Sequence, residues 1–393
     1  MSRPRVTVFS LSPIAQDARV LRHITYLAQH FDVTAIGYGE NPHPNITWRA
    51  VRRQRDVYDL GMIGLTLLLG RIWPRVYRLQ FLLRHHYRVA RRHLVQSQAD
   101  VIVANEVVEM VLSVQVARQT GVRVIYDAHE YKPAIRAETS WWRWLMAPFF
   151  RTLIRQYASQ ADLMLTTSPE YARWYATEFG LQPALLRNIP ALQALPAVTP
   201  PPSTFRVVHH GLAAHNRQLE NMVDAVKHVY PRFSLALHLV RAPYGAEAYY
   251  MDQLLAYISR QAPDAVTVQP PFPPGAIISQ LAHYDIGLVT IPPTNQALAG
   301  ALPNKLFEFI AAGLVVCSGP SPAIAEIVEA YGVGVVAPSF DPQDIAQTLR
   351  ALTPEDIMRY KSASRRAAQA LNADREMQKM IDAVWRLSNP SDE

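Results

Sequence analysis

Apolar runs of four to eight residues alternate with stretches of helical period along most of the chain, as in parallel strands buried on both faces and crossed by helices. Residues 6–10, 33–37, 101–104, 122–126 and 163–166 predict five strands, and 206–210, 234–240, 266–269, 286–291, 314–318 and 334–336 predict six more. After Asp341 only helical patterns remain. Between the two sets, residues 190–204 hold Pro190, Pro196, Pro200, Pro201 and Pro202 without strong periodicity, the composition of an interdomain linker. A chain of 393 residues also exceeds what one core usually serves. The expected organisation is two α/β domains, each a doubly wound parallel sheet, over 1–189 and 205–370, with a last helical segment over 371–393.

The most informative stretch follows the apolar run ending at Ile291. An irregular Pro-Pro-Thr-Asn-Gln loop leads into Leu302, Pro303, Asn304, Lys305, Leu306, Phe307, Glu308 and Phe309 at helical spacing, and then into Val315 and Val316. Ligands of open parallel sheets sit beyond the carboxyl ends of the strands, where a starting helix offers free N–H groups to anions. Lys305 in the first turn can reach a diphosphate, and Glu308 about one turn on can accept hydrogen bonds from vicinal hydroxyls. Together they suit a nucleotide sugar. Earlier, after the strand ending at His210, Gly211 lets backbone approach a ligand and Arg217 can bind phosphate oxygens bidentately.

Residues 302–313 resemble the PNKLFEY-type donor motif of family 4 glycosyltransferases, retaining enzymes of the GT-B fold, in which two Rossmann-like domains face one another across a cleft. The resemblance is strong over 205–350, looser over 6–190, and implies a nucleoside-diphosphate sugar, UDP- or GDP-linked, as donor substrate, with no further cofactor. It places the diphosphate on Gly211, Arg217, Asn304, Lys305 and Leu306, a catalytic or ribose contact on Glu308, and the nucleobase beside Gln269 and Pro270. It implies that the last helix crosses back to the first domain. Three departures stand out. Gly300 occupies the place of the first glutamate of the family's Glu-x7-Glu pattern, so its sugar contacts would fall to backbone N–H groups of Gly300, Ala301 and Leu302. Leu212 stands where many members carry a second arginine, and Arg241, Ala242, Pro243, Tyr244 and Gly245 replace a Gly-rich turn. The alternative they raise is a catalytically silent GT-B subunit that binds a sugar nucleotide or scaffolds a polysaccharide assembly complex. A sugar-nucleotide epimerase on the same fold lacks its usual carboxylate and histidine set here.

In the first half, Tyr126, Asp127, Ala128, His129, Glu130 and Tyr131 close a strand and resemble the family's DxHE segment. His129 is the first candidate for a catalytic contact, since an imidazole can donate to or take a proton from a hydroxyl near the anomeric carbon. The other reading is that Asp127 and His129 brace the loop. Asp127, Glu130 and Asn105, with Glu106 beside it, are the acceptor-side candidates. Asp17, Ala18, Arg19 and Val20 match a DxRV segment. Ser168, Pro169 and Glu170 fit a family turn or an ordinary helix start, and Asn188 precedes the linker. His209 and His210 read as structural. No histidine set has metal-ligand spacing and no Asp-x-Asp motif occurs, so a metal-independent hexosyltransferase is expected.

Charge modifies this picture in one half only. Up to Pro200 there are 24 Arg and Lys against 14 Asp and Glu, and beyond it 15 against 18; eleven arginines fall between Arg49 and Arg92. On a helix from residue 71 onward, Arg71, Arg75, Arg78, His85, Arg88 and Arg92 share one side and Ile72, Val76, Leu79, Leu83, Tyr87 and Ala90 another. The apolar run 60–69 is about half the length that spanning a bilayer needs, and Trp141, Trp142, Arg143 and Trp144 mix indoles with a cation. Segments 60–92 and 141–151 are therefore expected to meet an anionic membrane surface, near a lipid-linked acceptor. No nucleic-acid motif accompanies them. Met1–Arg5 runs directly into apolar residues, and the lone Cys317 lies in an apolar run. The expected location is cytoplasmic, peripheral on the inner face of the plasma membrane, in polysaccharide or glycolipid biosynthesis.

Overall fold

The computed structural model describes residues 3–52, 57–196, 203–243 and 245–389; residues 197–202 of the expected linker and Tyr244 lie outside this set. Seven strands, β1 (Arg5–Pro13), β2 (Asp32–Tyr38), β3 (Thr47–Ala50), β4 (Val101–Asn105), β5 (Arg123–Ala128), β6 (Leu163–Thr166) and β7 (Ala184–Leu185), form one parallel sheet in the order β3-β2-β1-β4-β5-β6-β7. Six more, β8 (Phe205–Leu212), β9 (Phe233–Val240), β10 (Val266–Gln269), β11 (Ile286–Val289), β12 (Val315–Ser318) and β13 (Gly334–Val336), form a second parallel sheet in the order β10-β9-β8-β11-β12-β13. Both orders reverse direction once, between β1 and β4 and between β8 and β11. Such switch points open a crevice at the carboxyl ends of the strands.

Each sheet is buried on both faces, which is why its strands read as continuous apolar runs. In the first sheet Phe9, Ile102 and Val124 face the helices Val107–Thr120 and Ala147–Tyr157. Their neighbours Val8, Val103 and Ile125 face Ala18–His30 and Met377, Met380, Ile381 and Val384 of the last helix, Ala373–Ser388. In the second sheet Val207, Leu235 and Leu288 pack under one layer of helices, while Val208, Val289 and Val316 pack under another that includes Asn304–Ala311.

Contacts divide the chain into a unit of residues 1–187, 295–301 and 377–393 and a unit of 188–294 and 302–376. The segment 295–301, expected inside one continuous second domain, thus belongs to the first unit: the Tyr171 hydroxyl donates to Ala297 O at 2.7 Å, and Asn295 Nδ2 to Glu138 at 2.9 Å. The described part of the expected linker packs onto the second unit through Leu195, as does Ile189 just before it.

Two expectations fail. The edge strands β3 and β7 are additional to those expected. The single helix from residue 71 onward is instead a broken series: helix Val57–Gly70, 3-10 turn Pro74–Arg78, helix Leu79–Leu83, then helix His85–Ser97 after an extended Arg84. Pro74 has no N–H for a helix interior and Arg84 leaves the helical region, so the stripe of arginines and its apolar counterpart do not share one helix. Tyr77 and Tyr87 turn inward, whereas Ile72, Leu79 and Leu83 face out.

Candidate functional site

In the second unit the switch point is built from the end of β8, the end of β11 and the helix Asn304–Ala311. Gly211 has φ +129°, and a Cβ built there would lie 3.4 Å from Lys305 Nζ. The bare backbone thus lets the ammonium lie close over it. Lys305 is 6% exposed. Burial above all, and then the nearby Arg217 guanidinium, push its pKa well below the ordinary lysine value, opposed by Glu308. Burial also lowers the pKa of Arg217. Among the described residues neither cation forms an ion pair with a carboxylate. The N–H groups of Asn304 and Lys305 donate to no described group, which adds the helix N-terminus to the same positive patch. Two unpaired cations desolvated together are costly unless an anion completes them.

The other donor-side candidates separate. Glu308 lies with His210 Nε2 3.2 Å from its carboxylate, both largely buried. Asn304 accepts a hydrogen bond from Asn188 Nδ2 at 2.7 Å, so Asn188 orders the start of this helix. Leu306 is not a ligand contact: its N–H donates to Pro303 O and its side chain is core. Gln269 ends β10, exposed, and Pro270 O is the partner of His238 Nδ1 at 2.8 Å. Leu212 is partly exposed.

Gly300 gives a second correction. The N–H groups of Gly300 and Ala301 already donate to Gln296 O and Leu298 O at 3.2 and 3.3 Å, closing the short helix Gln296–Ala299. Of the three amides expected to meet a sugar, only Leu302 N–H donates to no described group. A Cβ at position 300 would lie 2.5 Å from the Trp174 ring and 2.9 Å from Glu170 Cβ, so the indole fills the space a glutamate would need.

In the first unit a cavity of about 640 Å³ opens at the β1/β4 switch point, bounded by Ser10, Ser12, Asn105, Glu106, His129 and Lys132 among others. Glu106, the residue after β4, has φ +84° and ψ 174°, a strained conformation of the kind that collects at functional sites. Its carboxylate lies 3.1 Å from His129 Nε2 and 3.0 Å from Lys132 Nζ. Burial disfavours the imidazolium of His129, but Glu106 and Asp127 outweigh it and raise its pKa. The two carboxylates thus favour the protonated ring. Asn105 is buried, with its amide tied to Phe9 O at 3.2 Å and its Oδ1 unpartnered beside the cavity. Glu130 is partly exposed and pairs with Lys132.

Asp127 is not an acceptor contact. It is fully buried, taking Arg19 Nε and Nη2 at 2.7 and 2.6 Å, while Arg19 also donates to Leu186 O. Burial opposes its ionisation, yet Arg19 holds its carboxyl well below the usual carboxylate range. Of the two readings of this segment, Asp127 is the brace and His129 reaches the cavity. Ser168 is an ordinary N-cap, accepting from Tyr171 N–H at 3.1 Å.

Glu109 and Lys132 also line this cavity without having been singled out. A signal for Glu109 existed: it is the one charge among Val107, Val108, Met110, Val111 and Leu112. Burial raises its carboxyl from an ordinary 4.5 to about 7, opposed by the Leu11 N–H it accepts at 2.7 Å. The folded protein therefore binds the extra proton between these values, and this site loses stability as pH rises through that window. Glu109→Gln keeps the acceptor for Leu11. It is expected to match wild type at pH 5 and to exceed it at pH 8, by up to about 3 kcal/mol. Thermal unfolding at both pH values checks this; an equal difference at the two would refute it.

Residues 16–191 match the family model for a glycosyl transferase 4-like domain. This is the half whose motifs resemble the family more loosely. Solved GT-B structures align along the whole chain: a sucrose-phosphate synthase from Thermosynechococcus elongatus at 12% identity and TM-score 0.74, covering 99% of this chain and 100% of that one; Anabaena HepE in complex with UDP-glucose at 14% and 0.68, covering 97% and 99%; and an α,α-trehalose 6-phosphate synthase from Burkholderia multivorans at 10% and 0.67, covering all of both chains. No curated protein matches the chain in sequence. The fold is GT-B, and the residues that bound the β1/β4 cavity fall mostly within the stretch that this family model matches.

Proposed function

We propose that the protein is a retaining glycosyltransferase that moves a sugar from a nucleoside-diphosphate sugar, UDP- or GDP-linked, to a hydroxyl of a glycan or lipid-linked acceptor. The observation that carries this reading is the buried Lys305 with the partly buried Arg217 near it, neither ion-paired with a carboxylate among the described residues, beside a free helix N-terminus. These groups offset the charge of a leaving diphosphate. HepE of Anabaena was solved with UDP-glucose, which supports a uridine donor. Glu308 would hold ribose hydroxyls, and His129, as an imidazolium, would donate to the transferred sugar or the acceptor in the β1/β4 cavity. Retention and a hexosyl donor rest on the family resemblance. A thermal-shift screen with UDP, GDP, ADP and their common sugars tests the reading: stabilisation by none of them defeats it.

A second reading is a catalytically silent GT-B subunit, favoured by Gly300 and the Trp174 ring that fills the missing carboxylate's place. Slow release of UDP or GDP from a bound donor, lost in Lys305→Ala, separates the enzyme from the silent subunit.

The expected membrane surface enters this proposal with a firmer physical basis than a helical stripe. Ile72 is 69% exposed, Trp144 69%, Trp73 63% and Leu68 60%, far more than isolated surface apolar residues require. The Arg71 guanidinium lies 5.6 Å from the Trp144 ring, joining the two segments into one patch. No Asp or Glu occurs from residue 60 to 99, against seven arginines. No helix among the described residues is long and apolar enough to cross a membrane. The patch suits peripheral binding, each nearby cation adding about 1 kcal/mol at an anionic surface. Flotation with phosphatidylglycerol vesicles at low salt is expected to carry the protein up, and Trp73→Ser with Trp144→Ser to abolish this. Failure to float with anionic vesicles removes the idea.

A further inference from the structure

We infer that His209 is a positioning residue for the donor pyrophosphate, which it serves by holding the Lys305 ammonium in place as a neutral hydrogen-bond acceptor. The inference rests on the donor-site reading above and reverses the structural role expected of His209 from sequence.

The main-chain register between β8 and β11 covers only Val207 with Gly287's predecessor Ile286 and Val208 with Gly287. Beyond these pairs the strands part, and the carbonyl of Leu288 accepts a side chain: His209 Nδ1 lies 2.8 Å from it. A carbonyl oxygen only accepts, so Nδ1 carries the ring proton and Nε2 keeps its lone pair. That lone pair faces Lys305 Nζ at 3.3 Å. Since an ammonium only donates, the direction of the contact is settled by the β11 backbone.

A neutral acceptor has a consequence that a carboxylate in the same place would not. It fixes one N–H of Lys305 without cancelling the positive charge. The other two hydrogens remain available on the side of Gly211, whose missing side chain leaves the ammonium uncovered. Both partners are buried, His209 completely, so the imidazole cannot exchange its role with water. The groups facing the ring agree with this assignment: burial, Lys305, the adjacent His210 and Arg217 all disfavour a second proton on it. A protonated His209 would repel the lysine it holds.

The test compares three substitutions by isothermal titration of UDP and GDP, with thermal unfolding alongside. His209→Gln places an amide oxygen near the position of Nε2 and is expected to bind the nucleotide within about threefold of wild type. His209→Leu removes the acceptor and is expected to weaken binding at least tenfold, with unfolding temperature little changed. His209→Asn keeps the contact to Leu288 O but is too short to reach Lys305; it should lose binding like the leucine variant, and it decides the matter if His209→Leu does not fold. Binding by His209→Asn or by a folded His209→Leu within twofold of wild type overturns the inference, as does equal loss in all three variants, which is what a packing role alone would produce. Absence of nucleotide binding in wild type defeats the donor-site reading itself.

Discussion

Replacing Lys305 with methionine is expected to remove donor binding while leaving the protein as stable as before, or more so. The lysine is buried and forms no ion pair with a carboxylate among the described residues, and burial and Arg217 both oppose its charge, against Glu308. Methionine keeps most of the volume and removes the desolvated ammonium, so the folded state gains. The proposed donor site would lose one of the two cations assigned to phosphate. Loss of one preorganised electrostatic contact to developing charge lowers turnover about 100- to 1,000-fold, or about 3–4 kcal/mol. The expected pair of results is thus an unfolding temperature at or above wild type together with loss of UDP or GDP binding and of donor hydrolysis. Undiminished nucleotide binding by Lys305→Met would mean that the anion lies elsewhere. A lower unfolding temperature without loss of binding would mean that the lysine is structural.

The contrast between stability and function separates what sequence made legible from what it did not. Lys305, Arg217, Gly211 and Glu308 stand out in the sequence as candidates because each carries its chemistry in its own side chain, or in the lack of one, at a spacing set by a strand end and a helix start. His209 does not stand out in this way, since the role proposed for it depends on the carbonyl of Leu288, 79 residues away, and on where β8 and β11 stop pairing. Gly300 was visible as a missing carboxylate, but Trp174 supplying the bulk in its place is a tertiary fact. Most strands were legible as apolar runs because both faces of each sheet are covered. The strands β3 and β7 were not, since one has four residues, none of them buried, and the other only two. The arginine-rich segment misled through its period. Pro74 and the extended Arg84 break the helix that its spacing suggested, and the exposed Ile72, Trp73 and Trp144 then make a stronger surface signal than the stripe would have made.

The β1/β4 cavity shows the same division of labour between neighbouring residues. Asp127 and His129 stand two apart at the end of β5, and their side chains therefore share a side of the strand. Asp127 is the inner of the two and is paired with Arg19; His129 is the outer and lies 3.1 Å from the Glu106 carboxylate. The buried pair fixes the strand end on which the imidazole is presented. The strained backbone of Glu106 is held by its own N–H, which donates to Asp127 O at 3.0 Å. One buried aspartate thus orders, through its side chain and its carbonyl, both members of the Glu106 and His129 pair.

Asp127→Asn is accordingly expected to act first on folding. Removing one partner of a buried ion pair leaves Arg19 desolvated and costs about 3–5 kcal/mol, enough to lower the denaturation midpoint substantially in a protein of ordinary stability. The pH dependence has a definite sign. Because Arg19 depresses the folded pKa of Asp127 below its ordinary 3.8, the contribution of the pair is fully present above that value and is lost as pH falls below it towards the folded pKa. Wild type should therefore destabilise in acid more steeply than Asp127→Asn, and the gap between them should narrow below about pH 4. Replacing both partners, Arg19→Met with Asp127→Leu, removes both charges together and is expected to cost less than Asp127→Asn alone. Chemical denaturation of the three variants between pH 3 and pH 7 measures all of this. An Asp127→Asn protein that unfolds like wild type but has lost transfer would return Asp127 to the acceptor site, and would leave Arg19 as its partner in binding rather than in folding.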